Sequence, residues 1–410
     1  MKNTVGVAVL GFGVVGGGVV DLLTNNITEL SSLCGKKFEI KYILDKRDFP
    51  DSPYASLVTH NFDDILLDQT VDVVVEVMGG SHPAYEFTIS ALKAGKSVVT
   101  SNKEVVAKYG DEFLAVAKES SEKYQKPVSY LFEASVGGGI PIITPMLQCV
   151  RHNKVTEIRG ILNGTTNYIL SKMFTYGDSF EDALASAQKK GYAERNPDAD
   201  ILGFDTCRKI AILTSLVTGE MIDVDNIPTE GITTIRANDV KFAEYISHSI
   251  KLLARCIIDE RGAVALVSPY LLPSHLPLSS VNGVYNAIEV VGEPIGNVMF
   301  YGKGAGAGAT ASAVVSDIVG ASIGGYVLMP EIKKTSCSPK ESYKSTIARM
   351  YLALPKNDEE KAREIFGDGD IHIFGDECIV VTANLPEYEI ERRISVGGFT
   401  PLSKIRFLRF

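Results

Sequence analysis

A glycine-rich turn near the start of the chain, Gly11-Phe12-Gly13-Val14-Val15-Gly16, is the feature that most constrains the fold. Residues 5–10 before it are apolar, and residues 14–24 after it have the composition of a helix. In such a strand–turn–helix unit the first glycine makes the turn, the second lets the backbone approach a pyrophosphate, and the third lets helix and strand pack closely. The free N–H groups of the helix start attract phosphate. The alternative interpretation is a tight turn without a ligand.

Strands and helices alternate through the first third of the chain. Strands are predicted at residues 38–44, 71–78, 96–100 and 128–133, and helices at 83–94 and 103–123. Continuous β-branched runs between helices are typical of a parallel sheet covered on both faces. We therefore predict an α/β chain that begins with a Rossmann-type dinucleotide-binding domain over residues 1–134.

The pattern changes after residue 134. Strands predicted at 155–162, 263–271 and 287–291 are mixed with helices at 180–190, 204–218 and 239–249, which indicates an α+β substrate and dimerisation domain over residues 135–301. A glycine-dense loop that includes Gly306 then leads into a small-residue helix at 309–319. A flexible linker is the alternative for this loop, but a linker does not normally lead into so regular a helix. We predict that the loop lines the cofactor site and that residues 302–330 return to the dinucleotide-binding domain.

The last part of the chain has a third pattern. Residues 331–345 are polar, contain a proline and suit a linker. Residues 346–410 follow the order strand, helix, strand, strand, helix, strand, which predicts a small βαββαβ ferredoxin-like domain.

Composition narrows the classes of function. A chain of 410 residues is expected to form two or three domains. A net charge of −9 argues against nucleic-acid binding, and every apolar stretch is broken before the ~18 residues that a membrane span needs. No leader segment is expected before the first strand. Six scattered cysteines without a CxxC pair favour reduced thiols, a cytoplasmic location and no zinc site.

Charged residues after the second predicted strand leave the choice of cofactor open. Asp45 stands where an acid binds the ribose 2′-hydroxyl of NAD. Lys46 and Arg47 follow immediately, and their charges suit the 2′-phosphate of NADP. Both cofactors are therefore allowed.

The residues that follow two other predicted strands are expected at the same edge of the sheet, where the cofactor would bind. Met78 and Gly79 follow one strand, and Ser101, Asn102 and Lys103 follow the next. Ligands of open α/β sheets bind at the carboxyl ends of the strands. Lys103 is unusual at the start of a helix, because the helix dipole disfavours a cation there. A solvated surface lysine is the alternative.

The densest set of reactive side chains lies in residues 191–209. Asp205 and Lys209 are four residues apart on a predicted helix with apolar flanks, so they share one buried face. Such a lysine needs a compensating charge and is more often functional than a solvated one. A surface ion pair is the alternative. Together with Asp200 and Glu194, Asp205 could also receive an ammonium group of a substrate.

These motifs together resemble homoserine dehydrogenase, the NAD(P)-linked oxidoreductase between aspartate semialdehyde and homoserine in threonine and methionine biosynthesis. The resemblance covers roughly residues 1–330, and the stretch from Asn163 to Lys209 is its most specific part. The motifs that carry it are the Gly11 turn, residues 101–103, residues 133–141 (EASVGGGIP), residues 160–168 (GILNGTTNY), residues 191–209 and the loop and helix over 304–314.

The resemblance implies roles for particular residues. Glu194, Asp200 and Asp205 would bind the amino-acid end of the substrate, with Gly164, Thr165 and Tyr192 beside them. Lys103 and Lys209 would flank the reacting carbinol. We favour Lys209 as the proton donor, since Asp205 can hold its ammonium in place. A homodimer is also expected.

The resemblance further implies a monovalent cation, Na⁺ or K⁺. Glu133 and the carbonyls of Val136, Gly138 and Ile140 match the family's cation loop, and hard cations prefer oxygen ligands. The alternative is that Glu133 caps a neighbouring amide.

The chain departs from the family pattern at three places. Asn196 replaces the usual aspartate before a proline, and Ala309 stands where a proline is common. Lys46 and Arg47 do not align with the usual Arg-Asp after the second strand, so cofactor preference does not carry over.

Two rival functions are weighed. A dehydrogenase acting on another amino-acid-derived aldehyde is one, but acylating chemistry needs a cysteine paired with histidine, and no cysteine lies in such a motif. A catalytically silent nucleotide-binding sensor is the other. It would keep the Gly11 turn without needing Glu194, Asp200, Asp205 and Lys209 together.

The tail resembles the ACT domain, a small regulatory domain that often binds an amino acid. Its ligand usually meets the loop between the first strand and helix, where a glycine allows close approach. Here that loop, residues 354–360, has no glycine and three consecutive acids, which suit helix capping and dipole pairing and would repel a carboxylate. We expect the fold to be retained, threonine binding to be lost or weakened, and the tail to serve packing or subunit association.

Overall fold

The computed structural model describes residues 4–26, 32, 34–150, 152–325, 329–334 and 343–408. The chain forms two compact units. The first contains Met1–Val155, Ala211–Val224 and Gly292–Thr335. The second contains Thr156–Ile210, Asp225–Val291 and Ser336–Phe410. The domain limits inferred from the sequence are functional divisions and stay predictions.

The strands are β1 (Thr4–Leu10), β2 (Lys37–Leu44), β3 (Val58–Thr59), β4 (Val71–Glu76), β5 (Ser97–Thr100), β6 (Tyr130–Leu131), β7 (Lys154–Ile161), β8 (Glu220–Met221), β9 (His248–Asp259), β10 (Gly262–Pro273), β11 (Tyr285–Glu293), β12 (Gly296–Lys303), β13 (Lys333–Lys334), β14 (Ile347–Ala348), β15 (Met350–Pro355), β16 (Asp370–Phe374), β17 (Glu377–Val381), β18 (Leu385–Pro386) and β19 (Ser403–Phe407).

The α-helices are α1 (Val14–Asn25), α2 (Phe62–Leu67), α3 (Ala84–Lys93), α4 (Lys103–Tyr124), α5 (Ile143–Pro145), α6 (Gly164–Tyr176), α7 (Phe180–Lys189), α8 (Asp198–Ile201), α9 (Phe204–Thr218), α10 (Ala237–Tyr245), α11 (Ala307–Ser322), α12 (Glu359–Ile365) and α13 (Glu387–Val396). Turns of 3₁₀-helix lie at Ala55–Leu57, Glu133–Ser135, Val224–Asn226, Pro277–Ser280 and Lys356–Asp358, and a π-helical turn lies at Met146–Val150.

A parallel sheet forms the centre of the first unit. Its described strands have the spatial order β3-β2-β1-β4-β5-β6, and all neighbours are parallel. The order reverses between β1 and β4, which is the switch point where doubly wound sheets bind ligands. The predicted Rossmann-type sheet is confirmed.

Helices cover this sheet on both faces, which explains the continuous apolar runs of β1, β4 and β5. Helix α11 packs against α1, where Gly18 faces Ala311. Buried residues of α11, such as Val314 and Ile318, share one apolar core with Val7 and Val9 of β1. The segment after residue 302 therefore contributes to the core of the first unit.

A mixed sheet forms the second unit. Its described strands have the order β11-β7-β9-β10-β19-β15-β17-β16. Strands β7, β9 and β10 are antiparallel neighbours, whereas β10 and β19 are parallel, with Tyr270 opposite Arg406. The predicted α+β layout is confirmed, and the tail continues the sheet of the middle of the chain.

The tail has the predicted βαββαβ order, β15-α12-β16-β17-α13-β19. Its strands pair antiparallel in the order β19-β15-β17-β16, as in a ferredoxin-like fold. The expectation that the acids after residue 357 cap α12 is wrong for Asp358, which makes no side-chain capping hydrogen bond. The 3₁₀ turn before the helix leaves Asp358 at φ −86° and ψ 0°, not in the extended backbone of a capping residue.

Other elements differ from the sequence pattern. The helix predicted over 239–249 ends at Tyr245, because Ser247 has φ of +57° and β9 begins at His248. The pattern predicts neither β9 nor β12 nor α6, since a short apolar run fits a buried strand and a buried helix equally well. Lys333–Lys334, in the predicted linker, pair with β8. Residues 335–342 of that linker lie outside the described residues.

Among the described residues, no helix is both long enough and apolar enough to span a bilayer.

A buried ion network attaches the tail to the rest of the second unit. The guanidinium of Arg406 on β19 donates to both carboxylate oxygens of Glu387 at 2.8 Å and to those of Glu230 at 2.6 and 3.0 Å. The side chains of Arg406 and Glu387 are each only 3% exposed. This arginine compensates two carboxylates from distant parts of the sequence.

Replacing this arginine should destabilise the protein strongly. We expect Arg406→Met to lower the free energy of unfolding by about 3 to 5 kcal/mol, because it leaves a buried carboxylate without its cation. Urea unfolding followed by circular dichroism measures the change. Arg392→Met is the matched control, since Arg392 is exposed and Arg393 also binds its partner Glu389. Similar midpoint shifts in the two variants would contradict the expectation.

Candidate active site

The glycine turn leaves the start of α1 open to a ligand. Gly13 precedes the helix and makes no side-chain capping bond, so the first amides of α1 have no partner from a cap. Gly11 has φ of +98°. A Cβ at Gly16 would collide with the carbonyl oxygen of Gly11, so only glycine allows the turn to close this tightly. The turn is built to receive an anion such as a pyrophosphate.

Asp45 and Arg47 form one charged pair beside this turn. The amide of Phe12 donates to Asp45 Oδ2 at 2.8 Å, and Nε and Nη2 of Arg47 donate to the same carboxylate at 3.0 Å each. The hydrogen bond from Arg47 holds the pKa of Asp45 well below its usual range. The Arg47 side chain is 63% exposed and lies over the ring of Phe49. Lys46 is exposed.

A buried carboxylate connects the two neighbouring strand ends. Glu76 is fully buried at the end of β4, where it accepts from the amide of Met78 at 2.9 Å and from Thr100 Oγ1 at 2.7 Å. Burial raises its pKa, and these hydrogen bonds oppose that shift. Glu76 and Thr100 are paired residues of β4 and β5. The sequence pattern alone did not lead us to assign Glu76 a role in linking these strand ends. An acid at the end of an apolar strand is nevertheless a signal that a sequence can show.

Hydrogen bonds also link the end of β5 to the start of α4. Thr100 Oγ1 accepts from the amide of Asn102, and Asn102 donates to the carbonyl of Gly80 at 2.7 Å. Asn102 Oδ1 caps α4 by accepting from the amide of Glu104. Lys103 is the first residue of α4, as predicted. The predicted residues Met78, Gly79, Asn102 and Lys103 therefore lie on one hydrogen-bonded corner of the sheet.

The loop after β6 is organised by Glu133. Its carboxylate accepts from the amides of Ile142, Ile143 and Thr144 at 2.6 to 2.7 Å. The Glu133 side chain therefore caps neighbouring amides, which is the alternative interpretation of this loop. The amide of Glu133 donates to Asp317 of α11 at 2.7 Å. Burial raises the pKa of Asp317, and the charge of Glu133 raises it further.

The glycine-dense loop before α11 meets this region of the first unit. The amide of Gly139 donates to the carbonyl of Lys303 at 3.2 Å. Gly306, with φ of +123°, directly precedes α11.

An amide and a lysine hold two carboxylates together in the second unit. Asn163, the N-cap of α6, donates from Nδ2 to Asp200 Oδ1 at 2.7 Å and to Asp205 Oδ2 at 3.0 Å. Lys209 Nζ lies 2.8 Å from the same oxygen of Asp205 and 2.7 Å from the carbonyl oxygen of Leu162. Burial raises the pKa of Asp200, and the charge of Asp205 adds to the shift. The predicted i,i+4 pair on α9 is confirmed.

Of the remaining predicted substrate residues, Gly164, Thr165 and Tyr192 lie next to this cluster. The side chain of Glu194 does not join it. Thr165 Oγ1 in the first turn of α6 donates to the carbonyl of Tyr192 at 2.7 Å, next to Gly164. The Glu194 side chain is exposed, and among the described residues only its carbonyl oxygen is hydrogen-bonded, by Gln188. Asn163 lies in the motif of residues 160–168, but the sequence assigns it no separate role. Only the structure shows its contact with both carboxylates.

The fold and these sites define a class. A doubly wound sheet with an open glycine turn binds a dinucleotide, and a second unit with paired carboxylates and a buried lysine suits a polar substrate that exchanges a proton. The molecule is therefore an NAD(P)-dependent oxidoreductase acting on a CH–OH group.

Comparisons with known proteins give the family. The family model described as "Homoserine dehydrogenase" matches residues 141–319, and "Homoserine dehydrogenase, NAD binding domain" matches residues 11–127. The homoserine dehydrogenase of Bacillus subtilis (strain 168) is 36% identical over 88% of this chain and 84% of its own length. The chain belongs to the homoserine dehydrogenase family.

Solved structures agree with this assignment. The crystal structure of a homoserine dehydrogenase from Thiobacillus denitrificans is 31% identical, with a TM-score of 0.87 over 99% of both chains. A hyperthermophilic archaeal homoserine dehydrogenase mutant in complex with NADPH is 28% identical, with a TM-score of 0.66 over 78% of this chain and 98% of its own. The resemblance inferred from the motifs is confirmed, and the two rival functions are not favoured.

The pair of Asp45 and Arg47 should affect the choice between cofactors. We expect Arg47→Ala to lower the ratio of kcat/KM for NADP⁺ to kcat/KM for NAD⁺ by about tenfold. The change removes an exposed cation and uncovers the charge of Asp45, which repels a 2′-phosphate. Initial rates with both cofactors give the ratio, and Lys46→Ala is the neighbouring control. An unchanged or increased ratio in Arg47→Ala would argue against this role.

Proposed function

We propose that this chain interconverts L-homoserine and L-aspartate 4-semialdehyde with NAD or NADP, in threonine and methionine biosynthesis. The observation that carries the proposal is the cluster of Asp200, Asp205 and Lys209 around Asn163 at the start of α6. The nicotinamide supplies or accepts the hydride. The NADPH complex of the archaeal relative supports a nicotinamide cofactor.

The cluster binds the amino-acid end of the substrate. Asp200 and Asp205 together carry more negative charge than Lys209 alone balances, so they attract the substrate ammonium. The first amides of α6, at Gly164 and Thr165, lie at the positive end of a helix and favour the substrate carboxylate. Tyr192, half-exposed and linked to Thr165, borders the same turn. Glu194 is proposed to add a charge from the exposed rim.

Lys209 holds the proton that the reaction moves. In the reducing direction its ammonium donates a proton to the carbonyl oxygen while the carbonyl carbon gains the hydride, and the neutral amine then takes a proton from solvent. Asp205 and the carbonyl of Leu162 hold Nζ in position for this transfer. Lys103, the first residue of α4, is proposed as the second catalytic lysine, as the family resemblance implies.

The roles of the two lysines can be separated by kinetics. We expect Lys209→Met to lower kcat by about 10²- to 10⁴-fold, because it removes the proton donor. Lys103→Met should lower kcat less. The assay follows the absorbance of the reduced nicotinamide with homoserine and each cofactor in turn.

Two results of this assay would be decisive. Unchanged kcat in Lys209→Met would reject the assignment of the proton donor. No homoserine turnover by the unchanged protein, with cofactor binding retained, would favour a silent sensor. Surface variant Lys241→Met serves as the control for general effects of removing a lysine.

A monovalent cation is proposed at the loop of Val136, Gly138 and Ile140. Three amides already engage the carboxylate of Glu133, so main-chain carbonyl oxygens would form the ligands, and such oxygens suit Na⁺ or K⁺. Glu133 and Asp317 place two buried carboxyl groups beside this loop. A bound cation would offset their charge and stabilise the loop.

Exchanging the salt tests this site. We expect activity to fall when Na⁺ and K⁺ are replaced by tetramethylammonium at constant ionic strength, because that ion is too large for a carbonyl-lined loop. Adding back KCl or NaCl should restore activity along a saturable curve. Equal activity in all three chlorides would remove the support for the cation.

The remaining expectations stay proposals. A cytoplasmic homodimer is supported by the scattered cysteines and by the prevalence of symmetric dimers. The assignment of residues 302–330 to the domain of residues 1–134 is supported by the packing of α11 on α1, whereas the limits 135–301 and 346–410 are supported only by the sequence pattern. Loss of threonine binding by the tail is supported by the acidic start of α12, where Glu359 pairs with Arg363. The pairing of β19 with β10 gives the tail a packing role.

A further inference from the structure

A lysine in the core of the second unit has no part in the mechanism above. Lys251, on β9, is 2% exposed. Its ammonium donates to the carbonyl of Val281 at 2.5 Å, to Asn282 Oδ1 at 2.9 Å and to Asn167 Oδ1 at 3.2 Å. All three acceptors are neutral oxygens, so the three N–H groups are satisfied without a carboxylate.

Burying a lysine in this way is energetically unfavourable, because no opposite charge compensates for lost hydration. Burial lowers the pKa of Lys251 to about 7. A methionine or leucine would fill the same space without that cost. What the lysine adds at this position is the ability to donate three hydrogen bonds at once.

Those hydrogen bonds determine how Asn167 is oriented. A side-chain amide has an acceptor end and a donor end. With Lys251 at its Oδ1, the amide of Asn167 directs Nδ2 to the carbonyls of Val281 at 3.1 Å and Tyr285 at 2.9 Å. Asn167 is 2% exposed, so no solvent competes for these groups. The lysine and the amide together fasten residues 281–285 to α6.

A second contact extends this attachment along the helix. Ser171, one turn after Asn167, accepts from the amide of Gly283 at 3.0 Å. At the other end, Gly164 meets the same loop so closely that a Cβ there would lie 2.8 Å from the carbonyl oxygen of Val284. The loop therefore supports α6 from its first turn to its middle.

The first turn of α6 is also the turn that carries the substrate site. Asn163 precedes it and holds Asp200 and Asp205, and Thr165 in it binds the carbonyl of Tyr192. One side of the helix start thus contacts the acidic cluster, while the other is held by Lys251 through Asn167 and the loop.

We propose that Lys251 is a positioning residue for substrate binding, which acts through Asn167 to hold the first turn of α6 against residues 281–285. This role rests on the proposed function of the Asp200, Asp205 and Lys209 cluster. Without the ammonium, Asn167 loses its fixed orientation, the loop loosens from α6, and Gly164 and Thr165 lose their alignment with the two aspartates. Homoserine binding weakens, whereas the cofactor site in the first unit is unaffected.

Lys251→Met tests the proposal, because methionine keeps most of the length and removes the donors. We expect KM for homoserine to rise about tenfold, in line with the loss of charge-assisted hydrogen bonds, and KM for the cofactor to change less than about twofold. A general loss of structure would lower the active fraction, and hence kcat, without selecting one substrate. Lys251→Gln, which keeps a donor, should recover part of the affinity.

Ser249→Ala is the matched control. Ser249 is two residues earlier on β9, hence on the same face, and its hydroxyl makes no hydrogen bond with the described residues. Its kinetics should equal those of the unchanged protein. Where Lys251→Met does not fold, Asn167→Leu carries the same expectation, since it removes the oriented amide and keeps the lysine.

The outcomes separate the two proposals. No homoserine turnover by the unchanged protein overturns the proposed function. Turnover by the unchanged protein, with KM for homoserine unaltered in folded Lys251→Met or Asn167→Leu, overturns only the positioning role. An equal rise of both KM values also overturns it, because it shows a defect that is not confined to the substrate site.

Discussion

The contact of Asn163 with both Asp200 and Asp205 is the interaction on which the proposed chemistry of the second unit depends. Burial raises the pKa of Asp200, and the negative charge of Asp205 raises it further. The Asn163 amide donates to both, and the Lys209 ammonium binds Asp205, so the acids stay together without being neutralised completely. The result is a negative site with a proton-bearing lysine beside it, which suits an amino-acid substrate with a reacting oxygen.

The first unit uses buried polar groups for a similar purpose at a strand edge. Glu76 connects the ends of β4 and β5, and Asn102 continues the connection to Gly80 and to the first turn of α4. An apolar residue at position 76 would pack well but would leave the Met78 amide and the Thr100 hydroxyl without this partner. Glu76 thus connects the strand ends at the edge where we propose that the cofactor binds. Lys251 supports α6 in a similar way, through Asn167 and residues 281–282.

The tail is part of the same structural unit as the proposed substrate site. Its strand β19 pairs with β10, and Arg406 binds both Glu230 of the middle segment and Glu387 of α13. An ACT-like fold attached by a strand pairing, by the Arg406 network and by the ion pair of Arg236 with Glu377 cannot move as an independent module without breaking these contacts. This arrangement favours a structural role for the tail.

The sequence by itself determined the parallel sheet, the glycine turn, the βαββαβ tail and the pairing of Asp205 with Lys209, because each follows from local periodicity or fixed spacing. It did not determine β9 or α6, since short apolar runs suit strand and helix equally and only packing decides between them. Nor could it assign Asn163 or Lys251, whose partners lie 42 and 84 residues away. A buried polar group acquires its role from the donors and acceptors that folding brings to it, and no spacing along the chain encodes those contacts.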